Sequence, residues 1–327
     1  MNRPCDIPTL ASQRGVALVT ALLVVSLVTI AAVAMATRQQ IDVRRAANLL
    51  HGEQAYAYAV SAESWARVVL RRDAQDNEYD TLEDDWATAL PPIAVEGGLV
   101  SGKVEDRQGR FNLNNLVTEK GEVSEPDLKF FIRLLEILGI EQELADRLVD
   151  WLDRDIDVRF PEGAEDQEYL QLEQPNRAAN RPMSDISELR LVKGFNREAV
   201  ELLLPHVTVL PASTTININT ATSAVLQALH PELGSADVEL LIEDRGEAGY
   251  QDLGDFLDHD ALAGLELDIP VDVRSDYFRV LTDVQIGQGQ ARLESLLVRG
   301  ENGVQVVYRV RTPLRVVTAL PTGDAVD

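Results

Sequence analysis

The densest group of chemically useful side chains in this chain is the run DWLDRDIDVRFPEGAEDQE, Asp150 to Glu168, with eight carboxylates and two arginines in 19 residues. Carboxylates at that density repel one another unless a cation lies among them. A hard ion such as Ca²⁺ collects roughly six to eight oxygens in tolerant geometry. Asp153, Asp155 and Asp157 alternate as positions one, three and five of an EF-hand loop do. The sixth position, which needs glycine, is Val158; the twelfth, which needs glutamate, is Ala164, with Glu165 one place late. The run is therefore not an EF-hand. Its carboxylates leave a helix, turn at Pro161 to Gly163 and meet the acidic pair Glu165–Asp166, so they can still converge on one ion. A solvated acidic loop accounts for the same composition.

Other chemistry is thinly represented. There is no G-x-S-x-G, phosphate-binding loop, H-E-x-x-H or cysteine–histidine arrangement. His51, His206, His230 and His259 are scattered, and the single cysteine, Cys5, precedes everything else of interest. A chain cut beyond Cys5 carries no thiol, which suits an oxidising compartment and excludes cysteine metal sites. With 54 acidic residues some close carboxylate pairs arise by chance, so a two-carboxylate carbohydrate-acting enzyme is an alternative that no spacing favours. The net charge of −24 argues against nucleic acid, whose binding needs clustered Lys and Arg.

These side chains must be carried by elements, and the pattern divides the 327 residues into distinct textures. Val16 to Ala36 holds no charge, and its 21 residues as a helix span about 32 Å, close to a bilayer's hydrocarbon core. No proline occurs from Ala11 to Leu90, and Gly52 is the only glycine between Gly15 and Gly97. Apolar positions recur at Ile41, Leu49, Tyr56, Val60, Trp65 and Val68, so one helix is predicted from about Val16 to Arg71, first apolar all round and then amphipathic. GLVSGKVEDRQGRFNLNNL reads as one or two short strands. An N-h-N entry, helix, glycine-containing turn and helix then occur twice, with Asn112 and Asn217 offset by 105 residues. This reads as a duplicated helix-hairpin-helix-like unit with the asparagines capping helices. From Asn217 to Asp260 it holds ten acidic residues and one basic one, Arg245, so a DNA backbone would be repelled. The tail reads as three strands with turns at Gly287–Gly289 and Glu301–Gly303.

A short polar leader ending in glycine, followed by a long helix half apolar and half amphipathic, resembles the type IV pilin superfamily. That resemblance implies cleavage between Gly15 and Val16 by a prepilin peptidase and methylation of the new N-terminus at Val16. With DWLDRD, GAEDQEY, PNRAANRPMSDISELRLVKGF, ININTA and LLPHVTVLP added, almost the whole chain resembles the general secretion pathway protein K family, minor pseudopilins of type II secretion. The resemblance implies an α+β fold: a pilin-like long helix packed on an antiparallel sheet, with a large all-α domain inserted. It implies residues 1–15 as leader, 16–36 as the membrane and assembly half of the helix, and 37–111 as amphipathic helix and first strands. Residues 112–268 would be the helical insert with its acidic loop, and 269–327 the last strands. It further implies a non-enzymatic structural subunit with bound Ca²⁺, for which Asp153, Asp155, Glu165 and Asp166 are the carried-over ligands and Asp157 and Asn180 the secondary ones. Implied partners are the I and J type minor pseudopilins, the inner-membrane secretion platform, and the secreted substrate or outer-membrane channel. The implied location is the bacterial inner membrane, single-pass, with the globular part in the periplasm.

Thr20, fifth from Val16, stands where pilin-like proteins typically carry a glutamate that meets the N-terminal ammonium of the subunit ahead. A subunit with nothing above it has no such ammonium, and a lone carboxylate in hydrocarbon would be costly there. Thr20 can return its hydroxyl to a carbonyl of its own helix. The rival reading is a Sec-exported soluble calcium-binding module cut after Ala36, because AMA at Ala34–Ala36 fits an A-x-A site.

Overall fold

A computed structural model describes residues 14–312. Most of the expected leader, and the chain beyond Thr312, lie outside the described residues. Helix α1, Arg14–Asp76, is longer at both ends than its pattern predicts, and its 63 residues extend about 95 Å. Nothing interrupts it. Its first part, Val16 to Ala36, is exposed on every side, and Ser26, Thr29 and Thr37 donate their hydroxyls to the carbonyls of Leu22, Val25 and Val33. Past His51 one face turns inward: Ala55, Ala59, Ala66 and Leu70 are buried. Three alanines on that face let the helix backbone lie close to the sheet beneath it.

The sheet starts with β1 (Leu90–Val95) and β2 (Gly98–Asp106), an antiparallel pair. Strand β1 precedes the stretch from Gly98 that reads as strand; it lies at the sheet edge, where the donors that Pro91 and Pro92 lack cost nothing. The chain then leaves for a helical head. Its first half runs from β3 (Phe111–Asn112) through α2 (Glu125–Ile137), α3 (Leu144–Leu152), α4 (Asp166–Tyr169) and α5 (Arg197–Leu203) to β4 (Val207–Thr208). Its second half runs from β5 (Ile216–Asn217) through α6 (Ser223–Gln227), α7 (Ser235–Arg245) and α8 (Leu253–Leu257) to β6 (Val271–Asp272). Each half is closed by a two-residue parallel pair, β3 with β4 and β5 with β6.

The halves share one device. Asn112 Oδ1 accepts the Asn114 amide, and Asn217 Oδ1 accepts that of Asn219. Asn114 exchanges hydrogen bonds with the Met183 backbone and donates to Leu210 O; Asn219 does the same with Tyr250 and donates to Val273 O. Asn112 thereby caps the short 3₁₀ turn Leu113–Leu116, as expected, whereas α6 is capped by Thr222, so Asn217 pins a turn and a distant loop instead of capping that helix.

The chain returns to the sheet as β7 (Tyr277–Ile286), β8 (Gly289–Gly300) and β9 (Gly303–Thr312), giving the order β1-β2-β7-β8-β9 with every pair antiparallel. Residues 269–276, expected with these strands, belong to the head, because β6 pairs with β5. Phe278, Val280, Val284, Leu293 and Leu297 meet the buried face of α1 from below. The head has its own larger core, in which Phe111 stacks on Phe130 and Phe131.

Candidate functional site

The acidic loop is positioned by α3. Leu148, Val149, Trp151 and Leu152 anchor that helix in the head core, and Trp151 meets Tyr169 of α4 edge to face at 5.2 Å. Asp153 caps the C-terminal end, and Glu165 stands immediately before α4 with its amide donating to Glu168 Oε2. Both carboxylates are buried, with Asp153 5% and Glu165 3% exposed. Asn180 closes the group: its Nδ2 donates to Asp155 O at 2.6 Å and to Glu165 Oε2 at 3.4 Å. Its backbone has φ +45°, a left-handed conformation that asparagine tolerates better than most side chains.

Three oxygens here have no hydrogen-bond partner: Asp153 Oδ1, Glu165 Oε1 and Asn180 Oδ1. Burial foremost, then the charges of Asp155, Asp150 and Glu165, pushes Asp153 up to about 7. Burial likewise pushes Glu165 up to about 7, with Asp150 and Asp155 adding to the rise against the Asn180 hydrogen bond. Unpartnered acid oxygens facing other acids are what an oxygen-ligated cation requires, and Ca²⁺ accepts both carboxylate and amide oxygens.

The expected set is not uniform. Asn180 joins Glu165 to Asp155, whose backbone carbonyl it meets and whose Oδ1 accepts the Asp157 amide, and Asp153 lies buried nearby. Among the described residues, however, no three acids of this loop bring ligand oxygens within 4.8 Å of one another. Asp166 is engaged outward, accepting the Ala178 amide at 3.1 Å and pairing with Arg177 at 3.5 Å. Asp157 is exposed. Asp150, not singled out from sequence, is fully buried, accepts the Arg159 amide and is raised to about 6, chiefly by burial. The signal was present: Asp150 and Asp153 are three apart, one above the other on the same helix face. Gly163 is required beside it, because a Cβ there would run into Asp150 Oδ2.

At the other end of the molecule, Gly15 and Val16 lie in the first turn of α1. Thr20 Oγ1 donates to the carbonyls of Val16 and Ala17, both at 3.0 Å, so its hydroxyl is satisfied within its own helix. The described residues contain one helix long and apolar enough to cross a membrane, and none of its apolar window is buried.

A membrane-length helix that continues as the spine of an antiparallel sheet, with a helical domain spliced between two strands, defines a pseudopilin-like subunit. Two family models, each described as type II secretion system (T2SS), protein K, match residues 109–212 and 216–278, one for each half of the head. Type II secretion system protein K of Pseudomonas aeruginosa is 40% identical over 91% of this chain and 92% of its own length. Its namesake from Aeromonas hydrophila is 34% identical over 92% and 98% of the two chains. A chain of the crystallised GspK-GspI-GspJ complex from the enterotoxigenic Escherichia coli type 2 secretion system superposes with a TM-score of 0.73 at 28% identity. That match covers 83% of this chain and all of the other. The chain belongs to the type II secretion system protein K family, the minor pseudopilins that carry a large head.

Proposed function

We propose that the chain is a non-enzymatic structural subunit at the tip of the periplasmic pseudopilus, held in the inner membrane by α1 until it assembles. The observation that carries this reading is the head itself. Residues 107–276 are inserted between neighbouring strands of the sheet and place a second domain against the end of α1, where a further subunit would otherwise stack. Thr20 supports the same position: satisfied within its helix, it needs no ammonium from a subunit above. The solved structure that the chain resembles is a GspK-GspI-GspJ complex, which supports I and J type minor pseudopilins as direct partners. The prepilin peptidase would cut before Val16, the inner-membrane platform would receive the subunit, and the secreted protein or outer-membrane channel would meet the head. The repeated Asn112/Asn114 and Asn217/Asn219 devices support a duplicated, hairpin-like head used for packing and not for DNA.

The head holds a structural Ca²⁺ in this proposal. Asp153, Glu165 and Asn180 supply side-chain oxygens, Asp155 joins them, and Asp150 adds charge from behind. The three unpartnered oxygens support this assignment. Asp166 and Asp157 become peripheral.

The deciding experiment is co-expression of the full chain with its I and J type partners, followed by purification through one tag and N-terminal sequencing. A ternary complex whose K subunit begins at Val16 is expected. A mature chain beginning at Thr37, free of partners, would establish the Sec-exported soluble module instead.

A further inference from the structure

A second carboxylate cluster lies at the neck, where core and head meet. Among the described residues, Asp73, Asp80 and Asp84 each bring one carboxylate oxygen to within 4.8 Å of the other two. Asp73 lies in the last turn of α1, and Asp80 and Asp84 belong to the loop between α1 and β1. That loop is bound to the head: the Asp80 amide donates to Val273 O, Asn217 Nδ2 donates to Asp80 O, and the Ser275 amide donates to Asp80 Oδ2 at 2.8 Å. From the sheet, Arg299 of β8 donates Nη1 to Asp73 Oδ2 at 3.0 Å and Nη2 to Asp80 Oδ2.

One guanidinium thus pairs with two of the three carboxylates, and among the described residues no salt bridge reaches Asp84, which leaves an excess of two negative charges. Asp73 and Asp80 are buried, and Asp84 is half-buried beside a cleft of about 710 Å³ that Asp76, Glu83 and Asp85 also line. Asp80 shows the imbalance best. Its Oδ2 takes both Ser275 and Arg299, while Oδ1 has no hydrogen-bond partner although the side chain is only 1% exposed. A buried acceptor without a donor is costly, and a buried charge without a counter-charge more so. Asp84 is held in place by Thr81 N at 2.7 Å and Trp86 Nε1 at 3.1 Å on Oδ2, with the Thr81 hydroxyl on Oδ1. These bonds orient the carboxylate and leave one acceptor site, on Oδ1, for a further ligand.

We propose that Asp73, Asp80 through Oδ1, and Asp84 bind one hard divalent cation of the Ca²⁺ class, with solvent from the adjoining cleft completing its shell. The donor set is all oxygen, which suits Ca²⁺ and disfavours softer metals. A charge of +2 balances the excess that Arg299 leaves. The ion would join the end of the long helix to the loop that grips Ser275, Val273 and Asn217, so head and core are clamped at the point where they meet. This site shares no residue with the acidic loop of the head.

Trp86 provides the readout, because its indole donates to Asp84 and would lie close to a bound lanthanide. Full-length protein in detergent, carrying Asp153→Ala and Glu165→Ala to remove the head site, is titrated with Tb³⁺ and excited through tryptophan. Sensitised emission saturating at one ion per chain, displaced by Ca²⁺, is expected. Trp65 lines the same cleft, so the comparison is made with Trp65→Phe added to that background, where Trp86→Phe should abolish the emission while calorimetric stoichiometry stays at one. Asp84→Asn should weaken binding about tenfold or more. Emission that survives Trp86→Phe, or the absence of any bound ion, overturns the proposal; a proton shared by Asp73 and Asp80 would give the latter. If Asp84→Asn does not fold, the Trp86→Phe comparison decides alone. Because the head site is already removed, the outcome is independent of Ca²⁺ in the acidic loop.

Discussion

Glu63 is fully enclosed between α1 and the sheet, accepting Ser295 Oγ and Arg309 Nε at 2.6 Å on Oε2 and Arg309 Nη2 at 2.8 Å on Oε1. Burial alone would raise its pKa, but the hydrogen bonds from Arg309 and Ser295 outweigh it and hold the group below the usual glutamate range. A depressed acid stabilises the fold above its unfolded pKa, and that contribution is lost as pH falls through the folded value. Glu63→Gln should therefore cost about 2 kcal/mol at neutral pH, with the gap from the parent closing below about pH 4 in urea titrations. The acidic loop runs the other way. Asp153 and Glu165, both raised to about 7, favour the ion-free fold at low pH and withdraw that support as pH rises towards 7. Protons compete with Ca²⁺ for the same oxygens, so the gain in Tm on adding Ca²⁺ should be larger at about pH 8 than at about pH 5. An equal gain at both would remove these two residues from the ligand set. Sequence made Asp153 and Glu165 legible because their density and turn are local. Asp73, Asp80 and Asp84 were not, since their balancing partner Arg299 lies 226 positions beyond Asp73.

At the scale of elements, what could be read was what a single segment decides. The absence of proline and near absence of glycine foretold α1, and Gly287–Gly289 and Glu301–Gly303 marked the last two of the sheet's three hairpins. Strand β1 and the head boundary were missed because each depends on a neighbour: β1 exists by pairing with β2, and β6 leaves the core by pairing with β5. The turn between β7 and β8 does more than reverse the chain. A Cβ at Gly289 would stand 2.6 Å from Gly52 N and from His51 O, so the turn is pressed against the helix backbone. Gly300, at the end of the same strand, has nothing within 4 Å of the equivalent position. Gly289→Ala should cost about 1–3 kcal/mol through overpacking. Gly300→Ala should stay within about 0.5 kcal/mol of the parent. Thermal or chaotrope unfolding of the two variants separates them, and equal losses would mean that the turn is not held against α1.

For the whole molecule, the decisive feature is that the sheet and head cover only part of a helix about 95 Å long. Between the apolar span and the first sheet contact lies an arm that the chain itself leaves bare, with Leu49 70% and Leu50 67% exposed. Apolar side chains on a helix surface, continuous with a membrane-length segment, are what a bundle of parallel subunits would bury. The rest of the surface is strongly acidic, with a net charge of −24, so like molecules repel and association must be concentrated on this stripe. Folding and assembly should then be separable by mutation. Leu49→Glu with Leu50→Glu removes no buried contact within the chain, so the Tm should match the parent within the shift that about 0.5 kcal/mol allows. Recovery of the complex with I and J type partners should nevertheless fall about tenfold or more, because two charges would be driven into an apolar seam. Undiminished recovery would place the contact higher, on the face bearing Trp65 and Val68, and the same substitution scheme applied there would locate it.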